Sequence, residues 1–278
     1  MRRCFSVFPC VLTFVVGLCA PTLRAGIYSG PTDTTNLIDP AIASNSPLFV
    51  EWANAIDGSK SFFASRGSTA PSTTGFNSLG DLDATQIANH DSPGFITVTF
   101  PAAIRDGAGA DFAVFENGFA FGTPNGLFAE YAYVEVSTNG IDFVRFDGIS
   151  TNTAPVTGSG AFAGFDVSNV YNLAGKNAAG FGTPFDLATL AAKPAVTGGL
   201  VNLQNIRFVR LVDIPGNGSF LDSLGNPILD NWLTTGTTGG FDFRLGAGQG
   251  IGVVNAVPEP VSALFLAAGV VALVRRRK

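Results

Sequence analysis

The acidic residues around glycine-rich turns are the residues of this chain best suited to chemistry. The run Asp106-Gly-Ala-Gly-Ala-Asp111 places two carboxylates five positions apart, and Glu116 follows. Calcium takes about six to eight oxygen ligands from carboxylates, amides and backbone carbonyls, and glycine lets the backbone curl so that carbonyls can point inward. We therefore predict one structural calcium ion, with Asp106, Asp111, Glu116 and Asp213 as ligands. The loop is not an EF-hand, because position 12 counted from Asp106 is Asn117 instead of glutamate.

The same acids permit two other interpretations. Asp213, Asp222 and Asp230 lie in a second turn-rich run, and aspartates in turns commonly accept hydrogen bonds from backbone amides. On that interpretation the acids stabilise turns and bind no ion. A pair of carboxylates could also serve a glycan-degrading enzyme, which needs two acids at a set separation. The sequence does not give that separation, so all three interpretations stay open.

Most other catalytic sites have no basis in this sequence. The chain has one histidine, His90, and no Gly-x-Ser-x-Gly motif, so a serine hydrolase triad is not supported. The stretch 246–252 is glycine-rich but does not match Gly-x-Gly-x-x-Gly, because residue 251 is isoleucine. We predict a protein that is not an enzyme and that takes no cofactor other than calcium.

Alternating apolar and polar residues predict the strands that would position these acids. The predicted strands are 96–100, 111–115, 131–137, 141–146, 205–212, 240–245 and 250–254. Asn139-Gly140 indicates a two-residue type I′ hairpin between the third and fourth of them. In that hairpin Val134 and Val136 share one face of the strand, and Tyr133 and Glu135 share the other.

Two short helices are predicted beside the strands. One covers 48–56, follows Pro47 and contains Trp52, and the other covers 185–192, with Thr183 as N-cap and Pro184 at the first position. Short strands with long glycine-rich connections favour an all-β fold. We predict that residues 26–256 form one domain, a two-sheet β-sandwich of the jelly-roll type.

The first 25 residues are typical of a secretory signal peptide. Arg2 and Arg3 precede the apolar stretch 5–20, and Ala25 stands at a plausible cleavage point. A lipoprotein signal ending at Cys19 is a less suitable interpretation, because Leu18 is a poor residue before a lipidated cysteine. The Sec translocon would export the chain and residues 1–25 would be removed. All three cysteines, Cys4, Cys10 and Cys19, would leave with them, so the mature protein could form no disulfide.

The C-terminal segment 257–278, VPEPVSALFLAAGVVALVRRRK, has three parts. A Val-Pro-Glu-Pro motif precedes a short apolar helix of about 14 residues, which is too short for a stable membrane span, and a basic cluster follows. The segment resembles the PEP-CTERM sorting signal of Gram-negative bacteria. The resemblance implies recognition by an exosortase, transient insertion in the inner membrane, cleavage near the motif, and export to the cell surface or extracellular matrix. The other interpretation of the segment is a single tail anchor that stays in the membrane. The residues that carry it are Val257, Pro258, Glu259, Pro260, Arg275, Arg276 and Arg277.

The charge of the exported part excludes a nucleic-acid partner. Seven of the 16 basic residues but only one of the 21 acidic residues lie in the terminal segments. Residues 26–257 therefore carry 9 basic and 20 acidic side chains and a formal net charge of −11. Phosphate backbones need a basic surface, whereas an acidic surface suits divalent cations.

The interior of the chain also resembles a known group. The stretches DGAGADFAVFENGF, AYVEVSTNGIDFVRF and YNLAGKNAAGFGTPFDLA are similar to those of bacterial secreted cell-surface proteins without an assigned activity. The resemblance implies a galactose-binding-like or carbohydrate-binding β-sandwich. We predict a surface or matrix protein that acts by binding or structure, with exopolysaccharide as its expected partner. The alternatives are a carbohydrate-binding module with a defined glycan ligand, bound through Trp52, Trp232 or tyrosines, and a glycan-degrading enzyme.

Overall fold

The fold is built almost entirely of short antiparallel β-strands. A computed structural model describes residues 26–64, 71–122, 124–152, 164–230 and 240–258. In these ranges the strands are β1 (Ile42–Ala43), β2 (Glu51–Trp52), β3 (Ala55–Ile56), β4 (Phe76–Ser78), β5 (Phe95–Ile104), β6 (Phe112–Val114), β7 (Phe119–Ala120), β8 (Gly126–Phe128), β9 (Ala132–Ser137), β10 (Val144–Arg145), β11 (Ile149–Ser150), β12 (Phe165–Asp166), β13 (Val170–Tyr171), β14 (Phe181–Phe185), β15 (Ile206–Asp213), β16 (Asn217–Leu221), β17 (Pro227–Leu229), β18 (Asp242–Arg244) and β19 (Ile251–Val253). The α-helices there are α1 (Ala84–Ala88) and α2 (Pro194–Thr197), and 3-10 turns cover Gly58–Lys60, Val167–Asn169 and Leu187–Leu190.

Two five-stranded sheets dominate the described residues. The first sheet has the order β1-β14-β6-β19-β2, and the second has the order β10-β9-β15-β5-β3. Every pairing in them is antiparallel. The long strands β5 and β15 lie at the centre of the second sheet, where Val209 pairs with Val98 and Leu211 with Ile96. Strands that are neighbours in a sheet are often far apart in the chain.

Both sheets contribute to one buried apolar core. Side chains alternate between the two faces of a strand, and every second residue along the central strands faces this core. From the first sheet the core contains Phe112, Val114, Ile251 and Val253, and from the second it contains Ile96, Val98, Val134, Val136, Val209 and Leu211. Burying one such side chain contributes about 1.5–3 kcal/mol, so this core is the main source of stability in a domain for which we expect no disulfide.

The other face of the second sheet is also covered near one end. Tyr133 and Val212 point away from the shared core and pack with Leu127, Val170 and Ile228 in a second buried cluster. The Tyr133 hydroxyl donates a hydrogen bond of 2.7 Å to the carbonyl of Leu221. The predicted division of β9 into two faces is therefore confirmed.

The prediction of a hairpin between β9 and β10 is confirmed, but the predicted two-residue turn is wrong. β9 and β10 do pair, with Val144 opposite Val136, but six residues connect them. A type I′ turn needs positive φ at both central positions, and Asn139 does not have it, whereas Gly140 does, with φ +72°. The Asn139 side chain instead accepts hydrogen bonds from the amides of Ile141 and Asp142, which stabilises a wider loop.

The two predicted helices are also corrected. Residues 48–56 contain β2 and β3, because Glu51 and Trp52 pair with β19, and Ala55 and Ile56 with β5. Pro184 and Phe185, at the start of the second predicted helix, belong to β14, and within 185–192 only the 3-10 turn Leu187–Leu190 is helical. Asp186 caps that turn by accepting a hydrogen bond from the Ala188 amide. The pairing of these segments with distant strands overrides their local preference.

The predicted terminal segments lie outside the described residues. This holds for the signal peptide 1–25 and for the tail from residue 259 onward, so of the sorting motif only Val257 and Pro258 are described. Within the described ranges, no helix has the length and apolar character that crossing a bilayer requires.

Candidate functional site

Asp111 joins three separate loops at the start of β6. Its Oδ1 accepts hydrogen bonds from the Gly107 amide and from Asn255 Nδ2, and its Oδ2 accepts one from the Leu187 amide, each at 2.8 Å. The side chain is fully buried. Burial raises the pKa of the Asp111 carboxyl, and these three hydrogen bonds act in the opposite direction. The carboxylate thus connects its own loop to two segments that lie about 75 and 145 positions further along the chain.

Asp106, Asp111 and Asp186 form an acidic triad at this junction. One carboxylate oxygen from each lies within 4.8 Å of the others, and no other group of three potential metal ligands in the described part of the chain is so close. Oxygen-only ligands suit calcium. However, three N–H donors already occupy the Asp111 carboxylate, which favours the interpretation that it stabilises loops. Asp186 was not a predicted ligand, because its proximity to Asp111 arises only through the pairing of β14 with β6.

A surface groove of about 880 Å³ runs beside the triad. It lies between the segments on both sides of β1, the loop 108–110 and the 3-10 turn that follows β14. Its polar lining comes from Thr34, Asp39, Asn45, Tyr171, Asp186 and Thr189. Ile38 and Leu48 add apolar surface and are more than half exposed. The groove therefore combines hydroxyl, amide and carboxylate groups with one aromatic ring, that of Tyr171, which stacks on Tyr28 at 5.1 Å.

A larger group of carboxylates, here called the acidic cluster, lies at the other end of β6. Its members are Asp81, Glu116, Glu130, Asp213, Asp230 and Asp242. Glu116 follows β6 in the first sheet, while Asp213 ends β15 in the second. By the alternation of side chains, Asp213 shares the face of Leu211, and Glu116 shares the face of Val114. Both therefore point toward the space between the two sheets.

Two oxygens of the acidic cluster lack partners. Glu116 Oε1 and Asp213 Oδ2 are buried and accept no hydrogen bond from any residue in the described ranges. The second oxygen of each is bound: Glu116 Oε2 accepts from the Gly118 amide at 2.5 Å, and Asp213 Oδ1 from the Phe241 amide at 2.7 Å. Each carboxylate is thus fixed by one backbone amide and leaves one oxygen free.

The electrostatics of the cluster reflect crowding of like charges. Burial raises the pKa of Glu116 to about 8 and raises that of Asp213 well above its usual range, with Asp81 adding to the effect on Asp213. Glu130 keeps some exposed surface, but protein atoms surround its carboxyl, and burial raises its pKa strongly. Glu116, Asp213 and two further members of the cluster act on Glu130 in the same direction. Glu130 is therefore within electrostatic reach of both Glu116 and Asp213.

The structure separates the four predicted calcium ligands into two pairs. Asp106 and Asp111 lie together in the triad, while Glu116 and Asp213 belong to the acidic cluster. Asp111 and Glu116 bracket an extended strand, and five residues of strand span about 16 Å. These four residues do not surround one point. Glu130, Asp81 and Asp242 were not predicted, because nothing in the local sequence signals that three distant segments converge here.

The remaining candidates are placed as follows. Asp222 accepts hydrogen bonds from the amides of Ser150, Leu224 and Asn226, as the turn-stabilising interpretation expects. His90 is exposed, with φ +59°, in the turn after α1. Trp52 is half-buried against Phe49 and Phe115, and Trp232 lies outside the described residues.

A second, smaller pocket of about 460 Å³ opens onto the acidic cluster. Glu116 and Asp242 line it together with Asn117, Arg244 and Gln249. Asn117 Nδ2 donates to Asp242 Oδ2 at 3.1 Å. Two carboxylates facing one pocket is the feature that a glycan-degrading enzyme would need.

Comparison with known protein families and with curated proteins finds no match to this chain.

Proposed function

We propose that this chain is an exported cell-surface or extracellular-matrix protein that binds polysaccharide through the groove beside the triad. The finer architecture proposed for it is a jelly-roll, galactose-binding-like β-sandwich. The core shared by the two antiparallel sheets supports this assignment.

The lining of the groove is the observation that carries the proposal. A sugar presents hydroxyl groups that donate to carboxylates and accept from amides, and it presents C–H faces that pack on aromatic rings. Asp186 and Asn45 offer the first kind of contact, and the half-buried Tyr171 offers the second.

Groove variants test the binding proposal. Asn45→Ala and Thr34→Ala are each expected to weaken binding of a soluble exopolysaccharide about fivefold, the effect of one lost hydrogen bond. Isothermal titration calorimetry of a ligand first selected on a glycan array would measure this. Asn54→Ala, which removes an exposed amide that does not line the groove, is the matched control. Binding that is equally weak in all three variants, or absent in the wild type, would contradict the proposal.

Export and sorting form the other half of the proposal. The Sec translocon would export the chain, the C-terminal segment would hold it briefly in the inner membrane, and an exosortase would cut near Glu259. The order of motif, apolar stretch and Arg275-Arg276-Arg277 supports this. In cells that have an exosortase, the intact mass of the surface protein is expected to correspond to a chain that begins near residue 26 and ends near 257–260. Surface protein that still extends to Lys278 would exclude cleavage.

Hydrolysis is the second candidate function, and the carboxylates at the smaller pocket favour it. Glu116 with its raised pKa could act as an acid, and Asp242 lines the same pocket. We propose binding without hydrolysis. Release of reducing ends from the selected polysaccharide, lost in Glu116→Gln, would favour the enzyme instead.

A further inference from the structure

Within the acidic cluster, Glu116 and Asp213 carry buried negative charge that no basic side chain in the described ranges balances. None of the five ion pairs among the described residues includes a cluster member. Arg244 lines the adjacent pocket, but it packs over the Phe76 ring and donates to the carbonyl of Thr74. A buried carboxylate without a partner is costly. The free oxygens of Glu116 and Asp213, both buried at this end of the core, require either protons or a cation.

We propose that the acidic cluster binds a calcium ion between the ends of the two sheets, with the free oxygens of Asp213 and Glu116 as ligands. Asp213 is fully buried and Glu116 is 6% exposed. Glu130, which lies within electrostatic reach of both, supplies further negative charge at the site. The site is distinct from the groove and does not depend on polysaccharide binding.

The backbone around the cluster is shaped to approach the carboxylates closely. Gly240 and Gly216 have φ of +57° and +68°. A Cβ on Gly240 would lie 2.5 Å from Asp213 Oδ1, and a Cβ on Gly216 would lie 1.5 Å from Asp230 Oδ1. Only glycine fits both the backbone conformation and the space. Two loops therefore lie directly against the carboxylates of Asp213 and Asp230, which holds those carboxylates in position.

The donor chemistry selects calcium among the common metal ions. The cluster offers only carboxylates and backbone carbonyls, whereas zinc sites usually include histidine or cysteine. Magnesium requires nearly octahedral geometry, while calcium tolerates an irregular set of oxygens. No three carboxylates of the cluster meet the 4.8 Å separation of the triad. Backbone carbonyls and water would therefore complete the coordination, which calcium's irregular set of oxygen ligands permits.

The triad is the competing calcium site. Its oxygens are closer together, but three hydrogen-bond donors already occupy Asp111. The acidic cluster has the opposite character, because two of its buried oxygens have no donor among the described residues. Unsatisfied buried acceptors, rather than proximity alone, favour the cluster.

Thermal melts of the purified protein with EDTA and with calcium test the proposal. Calcium at a hundredfold excess over its Kd is expected to raise the melting temperature by about 5–10 °C. Magnesium at the same concentration should raise it much less. Calorimetric titration with calcium of the EDTA-treated, dialysed wild type should show saturable binding. A wild type that gives neither a shift nor binding overturns the proposal, whatever the variants do.

Three variants locate the ion. Asp213→Asn and Glu116→Gln are expected to lose most of the calcium shift, yet to melt no lower than the wild type in EDTA, because each removes a buried unpaired charge. Asp106→Asn takes a carboxylate from the triad and should keep the full shift. Loss of the shift in Asp106→Asn, or its retention in both cluster variants, would overturn the assignment.

Discussion

Lys176→Met is expected to destabilise the protein by about 3–5 kcal/mol, the usual effect of breaking a buried ion pair from one side. Lys176 is fully buried and pairs with the carboxylate of Asp39, which is 4% exposed. Its Nζ also donates to the Ser29 hydroxyl at 3.0 Å. Burial lowers the pKa of Lys176, and the charge of Asp39 opposes that shift. Without the lysine, the Asp39 carboxylate has no cation beside it. Its Oδ1 still accepts a hydrogen bond of 2.7 Å from the Ser29 amide.

The double variant Lys176→Met with Asp39→Leu separates charge from packing. Apolar replacement of both partners of a buried ion pair is often neutral or stabilising, so the double variant is expected to recover most of the loss. Urea denaturation followed by circular dichroism gives the free energies of unfolding. If the double variant is as unstable as Lys176→Met alone, the loss comes from packing and the ion pair is not its cause.

Asp111→Ala is the second large effect, with an expected loss of about 3–5 kcal/mol. The substitution leaves three buried donors without their acceptor, on Gly107, Leu187 and Asn255. Each unsatisfied buried donor costs about 1–3 kcal/mol, and the costs are not additive. Asp111→Asn keeps the shape but replaces one acceptor with a donor, so its loss should be smaller. The same urea titration measures both variants.

Asp106→Ala is the matched control for Asp111. Its side chain is partly exposed and accepts no hydrogen bond that the structure describes. A surface substitution of this kind usually changes stability by less than about 0.5 kcal/mol. Equal losses at the two positions would mean that the triad acts as a unit, through shared charge or a shared ion, and that Asp111 is not simply a connector of loops.

The sequence predicted those strands in which apolar and polar residues alternate along the strand itself. β5, β9 and β15 were found because each has every second residue in the core. The segment 48–56 was assigned to a helix because its partners β19 and β5 lie about 200 and 45 residues away, and local preference contains no information about them. A capping box at Asp83 and Gln86 does mark α1 in the sequence. That signal was available and was missed.

The candidate site was predictable only in its residue types. Asp111, Glu116 and Asp213 were singled out because acids beside glycines can bind a cation or cap turns. These acids are divided between the two ends of β6 by the direction and register of the strands. Direction and register are known only once the sheets are assembled. Glu130 stands alone in an apolar sequence, and only the pairing of β9 with β15 brings it beside Asp213.

The position of β19 restricts the order in which this chain can fold. β19 lies between β6 and β2 in the first sheet, although it is the last strand of the described residues. The sheet cannot close until residue 253 has been synthesised, and nearly all of its pairings join distant segments. Folds dominated by such non-local contacts form slowly. The first sheet of a nascent chain would therefore remain open until residue 253 had left the ribosome.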